Sequence, residues 1–168
     1  KPEHAEIIEI GAVRIVRGEI TDRFSSFVND GVVIPKEITA LTRITNDMIA
    51  GAPALREVLG DFIAFSQGAH LVAHNASFDV GFLRYHGERY GYTFSAPYAD
   101  TLMLGRYLLH DLPNHKLDTL CAHFDIDISG HHRAVDDAEA TSTLFLRLLD
   151  MLRERGIHHV PLRVDEPK

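Results

Sequence analysis

Several features that are common in proteins are nearly absent from this sequence. It contains one cysteine, no tryptophan and no apolar run approaching the roughly 18 residues that a membrane span needs. The lone Cys121 excludes an internal disulfide and a cysteine-based zinc cluster, and its helix-spaced apolar neighbours favour a packed thiol. No charged leader followed by an apolar stretch opens the chain. We therefore expect a single globular domain in the reducing cytoplasm, with neither membrane insertion nor secretion.

Positive charge is also scarce. The 168 residues include 17 lysines and arginines against 24 aspartates and glutamates, which gives a formal net charge of −7. A surface of this sign repels phosphate backbones, so tight autonomous binding to nucleic acid by counterion release is not expected. If the substrate is a nucleic acid, we expect a more basic partner to deliver it.

The apolar periodicity predicts an α/β domain with a mixed sheet that is covered by helices. The first predicted element is an antiparallel hairpin over 7–16 and 20–28 joined by Arg17-Gly18, and two or three helices follow between 35 and 68. A strand at 70–73 then leads into a helix that ends before 91, and a short strand leads into Asp100 and a helix that ends at 107. The last two predicted helices cover 117–124 and about 134–155. We assign residues 1–157 to the domain and 158–168 to a loosely attached tail or linker.

The first candidate site is the segment His74-Asn75-Ala76-Ser77-Phe78-Asp79, where a strand ends and a helix begins. Ligands of open α/β sheets bind at such strand ends. Helical spacing places Asp79 on the same face as Phe82, Leu83 and His86, close to the apolar side of the helix. A first-turn acid that is favoured by the helix dipole explains the same pattern equally well.

The second candidate site is the segment 130–138, Gly-His-His-Arg-Ala-Val-Asp-Asp-Ala, which opens the last helix. Asp137 aligns with the apolar stripe of that helix, which predicts that it points inward and that Asp136 points to solvent. Five positions of an ideal helix are about 140° apart, so His132 can join Asp137 only from a loop before the helix, and Gly130 favours such a loop. The alternative is a solvated helix start without chemistry.

Together, these residues favour an oxygen-ligated metal site over a zinc site. Asp79 and Asp137 offer the carboxylate oxygens that Mg²⁺ and Mn²⁺ prefer, and His132 is a candidate general base. Two carboxylates are too few for two metal ions, and no His-x-x-x-His pair with a third ligand supports zinc. Asp100, directly before Thr101-Leu102, is explained by helix N-capping.

These segments in combination resemble the motifs of one enzyme family. The matching stretches are His74 to Leu83, His132 to Ala138, Ala99 to Leu102, Asn114 to Leu120 and Leu41 to Met48. The chain resembles the DnaQ-like (DEDDh) 3′→5′ exonucleases over about residues 5–157. Within that family it is most similar to the proofreading exonuclease domain of PolC-type DNA polymerase III, and exonucleases fused to DinG-type helicases share much of the pattern.

The resemblance implies a ribonuclease H-like fold and two-metal-ion hydrolysis of nucleotides from a single-stranded or frayed DNA 3′ end. It implies that Asp79 and Asp137 ligate Mg²⁺ or Mn²⁺, that His132 is the general base, and that Asp100 braces the site from behind the ligands. The positions that it assigns to the pocket for the terminal nucleotide are Leu41, Thr42, His74, Asn75 and Phe78. A polymerase or another replication protein, on the same polypeptide or not, is the implied partner.

One family motif has no counterpart here. The resemblance implies an Asp-x-Glu pair on the central strand just before Lys1, and neither Glu9, on the next strand, nor Asp165-Glu166 can replace it. We therefore expect that the central strand is missing, that the chain begins within the domain, and that by itself it binds metal weakly and does not degrade DNA. The alternatives are an RNA-trimming or helicase-associated exonuclease and a catalytically inactive structural or interaction module.

Overall fold

The computed structural model describes residues 6–130 and 132–164. The described part contains four strands and seven helices, in the order β1 (Glu9–Val16), β2 (Glu19–Phe27), α1 (Lys36–Thr42), α2 (Asn46–Ile49), α3 (Leu55–Phe65), β3 (Leu71–Ala73), α4 (Ala76–Arg89), β4 (Tyr98–Asp100), α5 (Thr101–Leu108), α6 (Leu117–His123) and α7 (Ala134–Glu154). The predicted α/β class is confirmed. None of the helices in this described part is long and apolar enough to cross a membrane.

Strands β1 and β2 form the predicted antiparallel hairpin, in which Glu9 pairs with Phe27 and Val16 with Glu19. The connecting residues Arg17 and Gly18 both have positive φ angles, of 55° and 82°. A two-residue turn of this kind matches the right-handed twist of paired strands and aligns Val16 with Glu19, whereas the register shifts by one residue between Arg14 and Ile15.

Strands β3 and β4 form a second, parallel pair, joined by the crossover helix α4. Within the described residues no ladder links this pair to the hairpin. Helix α7 packs against both β1 and β3, so one helix covers both sheets.

The segment after α7 corrects the predicted tail. Tyr98 on β4 and Arg163 exchange two backbone hydrogen bonds, of 2.9 and 2.8 Å, which adds a short bridge to the free edge of β4. Ile157 and Val160 pack against the core under α7. The chain is therefore docked through Arg163, because its apolar residues and its backbone find partners that are distant in sequence; residues 165–168 lie outside the described part.

Two main apolar clusters hold the helices in place. One joins α5, α6 and α7 through Leu104, Leu108, Leu120, Leu144, Leu148 and Leu152. The other joins the end of β2 to α3 and α4 through Val28, Leu55, Val58, Leu59 and Phe82. These clusters hold α4, α5 and α7, the helices that have candidate site residues at or just before their N-termini.

Candidate functional site

The turn between β3 and α4 places the first candidate segment at the carboxyl edge of the parallel strand pair. Asn75 precedes α4 in the left-handed conformation, with φ 64° and ψ 52°. Phe78 is 54% exposed in the first turn, and the neighbouring Asp79 is also solvent-accessible. The aromatic ring of Phe78 and the carboxylate of Asp79 are therefore both accessible to a ligand near the strand exit.

Asp100 stabilises this turn through backbone hydrogen bonds. Its Oδ1 atom accepts hydrogen bonds from the backbone N–H of Asn75 at 2.9 Å and of Leu102 at 2.8 Å, and the residue is only 6% exposed. The second bond is the predicted N-cap of α5. The first ties the end of β4 to the start of α4, so one carboxylate fixes the backbone that precedes Asp79.

The electrostatic environment of Asp79 favours its protonated form. Surrounding protein displaces hydrating water, and this loss of hydration, opposed by a hydrogen bond from its own backbone N–H and aided by the negative charge of Asp100, raises the pKa of the carboxyl to about 6. Partial loss of hydration and a like charge both disfavour ionisation, so a cation beside Asp79 would favour the ionised carboxylate. The carboxylate therefore fits a hard metal ion.

His74 has a structural role that the sequence did not indicate. Its Nε2 lies 2.8 Å from the backbone oxygen of His115, and its Nδ1 lies 2.8 Å from the hydroxyl oxygen of Thr101. Nε2 must therefore donate, Nδ1 accepts from the hydroxyl, and burial lowers the pKa of the ring, which keeps it neutral. Because both nitrogens are engaged inside the protein, only the carbon edge of His74 is open to a nucleotide, and its place in the pocket stays a prediction.

Helix α7 begins at Ala134, so His132 lies on the preceding loop, as its spacing from Asp137 requires. His132 is exposed, and Gly130 ahead of it has a φ of 77°. The imidazole is therefore accessible to solvent and substrate, which a general base for water requires.

The burial predicted for the two aspartates of α7 is wrong. Asp136 is half-buried and its Oδ2 accepts from the backbone N–H of Arg133 at 3.3 Å, whereas Asp137 is exposed. The buried stripe of α7 does contain Thr141 and Leu144, one turn and two turns beyond Asp137. Asp137 thus lies on the predicted stripe but beyond the end of the core, where its carboxylate is open to solvent.

The end of α1 adjoins the start of α7. The guanidinium of Arg133 donates from Nη2 to the backbone oxygen of Thr42 at 2.9 Å. Leu41 beside it is 81% exposed. The predicted pocket residues Leu41 and Thr42 are therefore linked to the loop that carries His132.

These contacts assemble the candidate residues into two hydrogen-bonded groups. In one, Asp100 accepts from the backbone of Asn75 and His74 contacts Thr101 at the start of α5, with Asp79 in the first turn of α4; in the other, Arg133 donates to Thr42. Among the residues that the structure describes, no three histidine, cysteine, aspartate or glutamate side chains are placed to hold one metal ion.

Comparisons with known proteins place the chain in a family. The RNase T family model, described as "Exonuclease", matches residues 1–145. The PolC-type DNA polymerase III of Caldanaerobacter subterraneus is 48% identical over 155 residues, which cover 92% of this chain and 11% of that protein. The PolC-type DNA polymerase III of Bacillus subtilis is 44% identical over 155 residues, with 91% and 11% covered. The chain therefore spans about a tenth of the length of these relatives.

Solved structures have the same fold. Exonuclease X in complex with 5′ overhanging duplex DNA superposes with a TM-score of 0.65 at 26% identity, over 85% of this chain and 82% of that one. The nuclease domain of 3′hExo, a DEDDh family member bound to rAMP, gives a TM-score of 0.74 at 20% identity, over 97% and 86%. The expected ribonuclease H-like fold is confirmed, and the chain belongs to the RNase T family of exonucleases.

Proposed function

We propose that this domain removes nucleotides one at a time from DNA 3′ ends, as the proofreading segment of a longer replicative polymerase in the bacterial cytoplasm. The observation that carries the proposal is the group at the carboxyl edge of β3 and β4, where Asp100 fixes the turn before α4 and partial loss of hydration, aided by the charge of Asp100, raises the pKa of Asp79. A partly desolvated carboxylate at such an edge is typical of a functional site. The similarity to polymerases supports the biological context.

Asp79 and Asp137 are the proposed ligands for Mg²⁺ or Mn²⁺. Both carboxylates are open to solvent at the starts of their helices, and carboxylate oxygens are the ligands these ions prefer. Bound in a pair, such ions neutralise the scissile phosphate and favour ionisation of the attacking water. The proposal places an Asp-x-Glu pair on a further strand between β1 and β3, the two strands that α7 packs against.

His132 is the proposed general base that takes a proton from the attacking water. It lies on a loop, exposed, two residues before α7, so its ring can approach a phosphate that is held at the start of that helix.

Leu41 and Phe78 are the exposed apolar side chains proposed to contact the terminal nucleoside, beside Thr42, Asn75 and the carbon edge of His74. The net charge of −7 supports delivery of the frayed DNA end by a basic polymerase.

The test uses the full-length protein with Mn²⁺, without deoxynucleotides, on primers that carry a 5′ label and end in either a deoxy or a ribo residue. The proposal predicts a ladder of products that shorten from the 3′ end, with the deoxy-ended primer degraded at least as fast. Preference for the ribo-ended primer would favour an RNA-trimming exonuclease. No shortening of either primer would leave a structural module as the function.

A further inference from the structure

Arg133, in the matching stretch His132 to Ala138, has a side chain that contacts three other elements. It donates to the backbone oxygen of Thr42 on α1 at 2.9 Å, its Nη1 lies 3.7 Å from Oε2 of Glu9 on β1, and its guanidinium lies 5.4 Å from the Phe27 ring on β2. The side chain of Arg133 is 25% exposed and that of Glu9 only 7%. The pair is therefore shielded from solvent, where electrostatic attraction is stronger than at an open surface.

Glu9 holds the start of α7 through its other carboxylate oxygen. Oε1 accepts from the backbone N–H of Ala134 at 2.8 Å, which gives a partner to the first N–H of the helix and places negative charge at its positive end. Gly11 allows this approach, because a Cβ there would overlap the backbone of Ala134 and Val135. Strand β1 thus fixes the helix start that follows His132.

The two Nη atoms of the guanidinium lie against different elements. If Arg133 paired with Glu9 alone, two parallel N–H groups would donate to the carboxylate. Instead, Nη2 donates to the backbone oxygen of Thr42 on α1, and Nη1 lies beside the Glu9 carboxylate without a hydrogen-bond partner. A planar fork of donors can reach both groups at once, and the single ammonium of lysine cannot. The geometry links the end of α1 to the loop before α7 through one side chain.

We propose that Arg133 is a positioning residue that couples the α1 corner, Leu41–Thr42, to the His132 loop. The inference rests on the proposed function, in which the corner contacts the terminal nucleoside and His132 activates the water. Because Arg133 directly follows His132 and is bonded to Thr42, the two parts of the reaction centre keep a constant separation. Misplacement of a reacting group by about 1 Å can cost about a hundredfold in rate, so this link affects turnover.

The experiment compares Arg133→Met and Arg133→Lys in the full-length protein with a matched control. Arg23 on β2 also pairs with α7, at 3.2 Å from Glu139, but that pair is 56% and 44% exposed and touches neither the corner nor the loop. Arg23→Met therefore removes an arginine bridge between the hairpin and the same helix. Hydrogen exchange, measured by mass spectrometry without metal, reports whether the α1 corner and the His132 loop open together. The values of kcat and KM on a labelled primer report how this coupling affects turnover.

Arg133→Met should speed exchange at 41–43 and at 132–135 together, by about tenfold or more, since loss of the shared contact frees both segments to open. Arg23→Met should change neither. Turnover should fall by about 10 to 100-fold in both Arg133 variants, with lysine restoring thermal stability but not kcat. If methionine prevents folding, the lysine variant alone carries the test of turnover.

Three outcomes would overturn the inference: faster exchange at 132–135 with 41–43 unchanged, full recovery of kcat by Arg133→Lys, or the same losses in Arg23→Met. An inactive wild-type protein would instead refute the proposed function, and the exchange measurement would still decide whether Arg133 couples the two segments.

Discussion

Replacing Asp100 by alanine removes the acceptor of two partly buried backbone N–H groups, those of Asn75 and Leu102. A buried donor without a partner costs about 1–3 kcal/mol, and loss of an N-cap costs about 0.5–2 kcal/mol. Because water can enter beside the smaller side chain, we expect the free energy of unfolding to fall by about 2–4 kcal/mol. In a domain of this size, that lowers Tm by roughly 5–15 °C.

Asp100→Asn separates geometry from charge, since its amide oxygen can still accept both hydrogen bonds. We expect it to lose about 1 kcal/mol or less. Calorimetry measures the Tm of this domain in both variants. The matched control is Asp111→Ala, which should leave Tm unchanged because the Asp111 side chain is 94% exposed. A Tm for Asp100→Ala within 1 °C of wild type, or an asparagine variant as unstable as the alanine one, would refute the role given to these two bonds.

Three further predictions concern the reaction. At subsaturating Mn²⁺, the rate should fall as pH drops through about 6, because protonation of Asp79 competes with metal binding, and a rate that stays constant through this pH range contradicts the pKa argument. Asp137→Asn should reduce kcat at least a hundredfold, whereas Asp136→Asn should keep most activity, since its amide oxygen can still accept the hydrogen bond from Arg133 at the start of α7. Equal losses in the two variants would disprove the assignment of Asp137 as the metal ligand. His132→Ala should lower kcat by about 10²–10⁴ at saturating Mn²⁺ with little change in metal affinity, and unchanged kcat would exclude it as the base.

Local sequence rules predicted the elements that depend on neighbouring residues. The Arg17-Gly18 turn predicts the β1–β2 hairpin, the apolar stripe predicts α7 from about Ala134, and the capping preference of aspartate predicts that Asp100 accepts a hydrogen bond from Leu102. Each of these depends on residues a few positions apart, and the structure confirms each one.

Contacts between distant residues were not predictable in the same way. The bond from Asp100 to Asn75 spans 25 positions, and the bond from Glu9 to Ala134 spans 125. For the second bond, the sequence offered one indication, which is the charged Glu9 within an apolar strand. A carboxylate in a strand that is covered by a helix needs a hydrogen-bond or ionic partner. Helical spacing predicted the stripe that contains Asp137 but not where the core ends, so the burial predicted for that residue was wrong.

The central claim is that carboxylates at the helix starts carry out 3′-terminal hydrolysis, and strand-labelled digestion by wild type and Asp79→Asn tests it most directly. With DNA labelled at the 5′ end, Mn²⁺ and no deoxynucleotides, the wild-type full-length protein should release mononucleotides and leave a ladder that shortens one residue at a time. Asp79→Asn should leave the substrate intact while its polymerase activity is unchanged. Degradation by Asp79→Asn at the wild-type rate, or internal cleavage by wild type in place of a ladder, would contradict the account.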